Sequence, residues 1–174
     1  MSSHKLILRA LEPDDLSQLY LWENDIDSCL VSLSKVPLSK YLLEQYISQA
    51  HLDIQEAGQF RFILADDSGK SIGCIDLFDY DAVHRRAGVG VLIDAKSRSK
   101  GYATEALTLI KDYAFNRIGM HQLYCSIQAH NTASLSLFKK AGFEKVGLRK
   151  DWHFTEGSFS DVVEFQLLNQ SSYL

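Results

Sequence analysis

A chain of 174 residues has the length of one domain and can bury a core. Its 46% apolar and 23% charged residues are those of a globular protein, and a net charge of −4 argues against a broad nucleic-acid surface. No apolar run reaches the 18 residues a membrane span needs.

The opening stretch MSSHKLILRALEPDD holds an apolar run too short for a secretory signal, so the expected location is the cytoplasm. Lys5–Leu11 reads as a first strand. EPDDLSQLYLWEND follows as a helix, with Pro13 in its first turn and Asp14 and Asp15 at its positive end. Residues 26–38 are irregular. Ser39–Gly58 reads as one amphipathic helix with Tyr41, Leu42, Gln45, Tyr46, Gln49 and Leu52 on its stripe, ended by Gly58. QFRFILA, SIGCIDLFDY and RRAGVGVLID then form a meander, broken at DDSGK and DAVH. Gly101–Ile118 is helical, with a stripe of Ala103, Ala106, Leu107, Ile110, Tyr113, Ala114 and Ile118. HQLYCSIQA is a strand and NTASLSLFKKAGF a short helix ended by Gly142. Two last strands, Lys145–Phe154 and Ser160–Leu168, meet at TEGSF.

This order predicts an α+β domain with a mostly antiparallel seven-stranded sheet and four helices. The strand–helix–strand crossover over 86–128 requires one parallel pair in it. Ligands gather where such a pair meets a helix N-terminus. Cys29, Cys74 and Cys125 are far apart and show no metal spacing. They read as reduced thiols, at least two of them in strands, and no metal is expected.

Two phosphate motifs fail. A Walker loop ending in the Gly-Lys-Ser at 69–71 needs glycine at position 64, which is Leu64. GVGVLI lacks the third glycine of a dinucleotide loop and lies within a strand. The remaining candidate is Arg98-Ser99-Lys100-Gly101-Tyr102-Ala103. Glycine admits positive φ and close backbone approach, and the following helix points free N–H groups and positive charge outward. Small Ala103 keeps the wall low. A pyrophosphate suits this loop, as does an ordinary helix start with two solvated cations.

The Arg-x-x-Gly-x-Ala pattern, after a strand ending in an acid and before a long helix, resembles the acetyl-CoA loop of the GNAT acetyltransferase family. SIQAHNTASLSLFKKAGFEKVG is similar to that family's strand, Asn, short helix and Gly-Phe segment. VHRRAGVGVLID and DWHFTEGSFSDVVEFQLL look most like the polyamine and ribosomal-protein alanine acetyltransferases. The resemblance covers about Leu6 to Leu168. It implies one GNAT-fold acetyltransferase domain over 1–174, which moves acetyl from acetyl-CoA to a primary amine by direct attack. The amine would belong to a polyamine, a small amine or a protein N-terminus. No nucleic acid or membrane is implied, and a homodimer is possible for the family.

The same resemblance assigns residues. The backbone of Val91, Leu92 and Ile93 would pair with the pantetheine arm, with an N–H around Leu92 holding the oxyanion. N–H groups of Arg98, Ser99, Lys100, Gly101, Tyr102, Ala103 and Thr104 would hold the pyrophosphate. Asn131 would bond the pantetheine near the thioester, and its position also fits a helix N-cap. Many relatives place tyrosine where this chain has Phe138, which cannot donate a proton. Ser134 is the nearby substitute as acid, or a polar residue of the first helical turn. Asp79 is the expected base, or a solvated turn acid. On an extended strand it shares a face with Asp81, with Asp76 opposite. His84 and His130 rank behind it. The acids that polyamine relatives carry after the first helix are thin here: Asp25 and Asp27 remain, but Ser28–Tyr41 has none. Phe138 keeps a second class open, a non-catalytic acyl-CoA-binding or sensor module. A protein-interaction domain with a vestigial loop is the third reading.

Overall fold

The computed structural model describes residues 6–25, 36–50, 52–155 and 157–170. Asp27, Cys29 and most of the acid-poor segment lie outside them. The strands are β1 (Ile7–Ala10), β2 (Phe60–Ala65), β3 (Ser71–Asp81), β4 (Arg86–Ile93), β5 (Gln122–Gln128), β6 (Glu144–Thr155) and β7 (Ser158–Leu168). They form one sheet in the order β1-β2-β3-β4-β5-β7-β6. Only β4 and β5 run parallel. This is the mixed sheet the crossover requires.

The helices are α1 (Leu16–Glu23), α2 (Lys40–Ser48), α3 (Ile54–Ala57), α4 (Tyr102–Asp112) and α5 (Thr132–Lys140). A 3-10 turn over Pro13–Asp15 leads into α1. Asp15 is buried and takes two bonds from Arg9 (2.7 and 2.6 Å), so its partner is a strand cation.

Both sheet faces are covered. On one, α4 and α5 bring Tyr102, Leu107, Ile110 and Phe138 onto Ile75, Leu77, Ala87, Val89, Leu123 and Phe165. On the other, Leu19 and Trp22 of α1 and Leu43 and Ile47 of α2 pack on Ile63 and Cys74. Strand alternation sets this division, since neighbouring residues point to opposite faces.

Two expectations need correction. Ser39–Gly58 is two helices: the Asp53 side chain accepts from the N–H groups of Gln55 and Glu56 (2.8 and 3.0 Å) and starts α3 afresh. The buried stripe of α2 is Leu43 and Ile47, while Tyr41 and Leu42 face water. A helix core line one residue away was hidden because polar and apolar residues alternate along both faces. The long helix after Gly101 runs on past α4 to Arg117, as expected. Its last turn widens to π geometry over Tyr113–Arg117 before Gly119 at φ 68°.

Cys74 and Cys125 are free, buried thiols in β3 and β5, as expected. Among the described residues, no helix is long and apolar enough to cross a membrane, and no group of metal-ligating side chains gathers.

Candidate active site

The loop between β4 and α4 is built to expose backbone. Asp94 ends β4 and accepts from the Lys96 N–H (2.9 Å) and from Trp22 Nε1 (3.0 Å), which ties the loop to α1. The Trp22 bond is the main reason that the Asp94 carboxyl titrates below its ordinary range. Ser99 at φ 62° and Gly101 at φ 87° then turn the chain left-handed twice. Gly101 begins α4, and a side chain placed on it would meet nothing within 4 Å. The glycine therefore serves backbone conformation and leaves open space above the helix start. The N–H groups of Lys100, Gly101 and Ala103 have no backbone acceptor among the described residues. Two left-handed residues beside a helix N-terminus make an anion-binding concavity. The cations stand at its rim: Arg98 Nε bonds the Ile93 carbonyl (3.1 Å), and Lys100 Nζ bonds the Lys96 carbonyl (3.1 Å). Ser97 is buried beneath, whereas Arg98, Ser99 and Lys100 are exposed.

The parallel pair opens into a wedge. β4 and β5 are in register only at Arg86–Gln122, Ala87–Leu123 and Gly88–Tyr124. Beyond Gly88 they diverge, although β4 stays paired with β3 as far as Ile93. One edge of β4 therefore lacks a strand partner. A Cβ on Gly73 of β3 would overlap the Leu92 carbonyl, so Leu92 turns its polar groups toward β3. N–H and C=O groups alternate sides along a strand, so Val91 and Ile93 present theirs to the open edge. This corrects the expectation for Leu92: its backbone is not on the open edge, and the donors there are its neighbours. The carbonyl of Ile93 is already engaged by Arg98.

At the apex, Gly88 is glycine because of Phe78. A side chain on Gly88 would overlap the Phe78 ring, which reaches across β4 to meet Tyr124 edge-on (centroids 6.1 Å apart, 78°). Just past Phe78 the strand kinks. Asp79 takes φ 48°, and the register with β4 shifts between Phe78 and Asp81. The expected sharing of one face by Asp79 and Asp81 does not survive this kink. Asp79 instead accepts from the Tyr124 hydroxyl (3.1 Å), and Asp81 pairs with Arg86 (3.1 Å) and the His84 N–H (2.8 Å). Burial first, then the charge and bond of Asp79, push the Tyr124 hydroxyl up to about 12. Asp76 is engaged by Arg61 through two bonds (2.7 and 2.8 Å), and Arg61 also binds Glu23 of α1.

On the far side of the wedge, the Asn131 Oδ1 accepts from the Ser134 N–H (3.1 Å), so Asn131 caps α5. Ser134 is half-buried one helical turn before Phe138 and on its side of the helix. Phe138 is 4% exposed and packs edge-on against Phe143 (5.1 Å, 81°). It is a core residue. His130 is exposed beside Asn131.

Sequence reasoning missed Tyr124 and its neighbours. Gln122, Tyr124, Ser126 and Gln128 alternate with the core residues Leu123, Cys125 and Ile127 along β5. Ser126 Oγ donates to Glu164 Oε2 of β7 (2.8 Å), and Arg149 of β6 approaches Glu164 Oε1 (3.0 Å). The signal was a central strand with a fully polar second face, which lies partly open at Ser126 and so offers a surface to a ligand. A cavity of about 250 Å³ elsewhere, between α2, α3 and β2, is lined by Tyr46, Glu56, Phe60 and Arg61 and includes none of the expected site residues.

A sheet that splits beside an N–H-lined helix start fits the acyl-CoA-dependent transferase that the resemblance implied, and the comparisons agree. Residues 5–144 match the family model described as the acetyltransferase (GNAT) domain, and the chain belongs to that family. It is an acyltransferase that uses acetyl-CoA. The chain is 27% identical over 173 residues to a spermidine N(1)-acetyltransferase of Escherichia coli K12, covering 99% of this chain and 90% of the relative. It superposes on the crystal structure of spermidine N-acetyltransferase from Vibrio cholerae in complex with CoA and spermine, with a TM-score of 0.88, 27% identity and 97% of both chains covered. A dodecameric structure of the Vibrio cholerae enzyme matches with a TM-score of 0.80, 29% identity and coverage of 97% of this chain and 96% of that one.

Proposed function

We propose that residues 1–174 work as one domain that transfers acetyl from acetyl-CoA to a primary amine of a polyamine, in the cytoplasm. The observation that carries this is the open edge of β4 leading to the loop at Gly101. The spermine-bound relative supports the acceptor class. In this reading the backbone N–H groups of Arg98, Ser99, Lys100, Gly101, Tyr102, Ala103 and Thr104 hold the pyrophosphate. Val91 and Ile93 pair with the pantetheine amides as a strand would. Asn131, besides capping α5, turns toward the thioester end.

The amine must be neutral to attack. With an ordinary pKa of ~10.4, only about one alkylamine in a few thousand is neutral at pH 7. Asp79 is the proposed proton acceptor, acting beside the Tyr124 hydroxyl it holds. A β4 N–H on the open edge steadies the oxyanion. Ser134 is the proposed donor to the departing thiolate, since the buried Phe138 has no proton to give. Assembly with other copies, through the exposed edge strand β6, completes the proposal.

The test is CoA release on adding spermine, spermidine, small amines and N-terminal peptides. Transfer to polyamines with slower turnover in Ser134→Ala supports the reading. Gly101→Glu should abolish acetyl-CoA binding by placing bulk and negative charge in the concavity. The core position of Phe138 favours one second reading, an acyl-CoA sensor. Acetyl-CoA binding by calorimetry without turnover of any amine would establish that instead.

A further inference from the structure

We infer that Glu164 is a second ammonium anchor, holding one charged amine of the acceptor while the next amine reacts at the β4–β5 apex. The inference rests on the polyamine reading above and adds a residue that sets acceptor preference.

Glu164 stands in register with Ser126 of β5, two residues beyond Tyr124 on the same face. Two strand residues span ~7 Å, which a short alkyl spacer between amines can cross. Ser126 is exposed, so the floor between Tyr124 and Glu164 is open to a ligand. Of the carboxylates on β3 and β7, Asp76 is neutralised by Arg61, Asp81 by Arg86, and Asp161 accepts from the Asp151 N–H. Asp79 is taken by Tyr124 at the apex.

Glu164 is ion-paired as well, with Arg149 (3.0 Å), but differs in its hydrogen bonding. Its Oε2 accepts from Ser126, but its Oε1 is buried and receives no hydrogen bond. Arg149 Nε comes within 3.0 Å of Oε1 without the direction a hydrogen bond needs. The Arg149 side chain is half exposed, and its guanidinium rests on the Trp152 ring (4.6 Å). A buried carboxylate oxygen without a donor is unfavourable, and a primary ammonium offers three donors and the matching charge. Arg149 already has the Trp152 face to rest on when an ammonium takes its place. The Ser160 Oγ and His153 Nδ1, opposite one another on β7 and β6, are also buried without partners, so this end of the sheet holds unused polar capacity.

The test is steady-state kinetics with a diaminoalkane and the monoamine of equal carbon length, on the wild type, Glu164→Gln and Arg149→Leu. Gln keeps the shape and the Ser126 bond but removes the charge. The ratio of diamine to monoamine kcat/KM should fall about tenfold in Glu164→Gln, the scale of one charge-assisted contact. In Arg149→Leu the ratio should rise, because the competing cation is gone. An unchanged ratio in Glu164→Gln, or a fall in Arg149→Leu, overturns the anchor. If the wild type acetylates no amine, the transfer reading fails by itself. Calorimetry of the same two amines on acetyl-CoA-loaded protein then reads the anchor directly, and equal affinities in wild type and Glu164→Gln overturn it.

Discussion

Asp79 and Tyr124 show how much of a residue's setting a sequence leaves unsaid. Asp79 stood out in the sequence as an acid at a strand end. Its left-handed backbone and its tyrosine partner were not legible, because the first depends on the register shift between β3 and β4 and the second on how β5 lies against β4. The pair has a measurable signature. The Tyr124 hydroxyl is raised to about 12 by burial and by Asp79, so its proton is held more tightly in the folded state than in the unfolded one. The stability this contributes is full below the ordinary tyrosine value near ~10 and is lost as pH rises through about 12. Burial also raises the Tyr46 hydroxyl, so ultraviolet titration should show late-ionising tyrosines of which the Tyr124 component alone moves to lower pH in Asp79→Asn. A titration curve that is the same in both proteins would break the link between the two residues. Gly101 was legible for the opposite reason: its need for positive φ is local and depends on no distant strand.

At the scale of elements, the ion group of Arg61, Glu23 and Asp76 joins β2, α1 and β3. The Arg61 side chain is 17% exposed and also lies over the Tyr46 ring of α2. Removing a buried partner strands the remaining charges. Arg61→Met should therefore cost about 3 kcal/mol in urea unfolding, in keeping with losses of this kind. A loss below about 1 kcal/mol would place the group among ordinary surface pairs. No sequence pattern announced this group, since its members are 15 and 38 residues apart. The division of Ser39–Gly58 was equally hidden. Periodicity measures how a helix continues, and Asp53 acts by starting a new one.

Over the whole molecule, the mixed seven-stranded sheet and its single parallel pair followed from the sequence, because a crossover leaves the chain few alternatives. What escaped was how far the pair stays zipped. The outer edge also carries a prediction. β6 lies at the border of the sheet and, with β7, exposes Val146, Leu148, Trp152, Phe154 and Phe159. Unpaired edges with apolar side chains invite association. Light scattering should find more than one copy per particle, and Trp152→Glu with Phe154→Glu should reduce it to monomers. A monomeric wild type would end that proposal.

The wedge has a consequence for the protein's own cohesion. With β4 and β5 joined only from Arg86 to Gly88 and from Gln122 to Tyr124, the sheet is two panels, β1–β4 and β5–β7, hinged at one end. A donor lying in the gap would complete the missing ladder and act as an eighth strand. The substrate then becomes part of the scaffold. Its binding adds about 2.7 kcal/mol to folding when it stands at a hundredfold its Kd, so the rigidity of the two panels would follow the supply of acetyl-CoA.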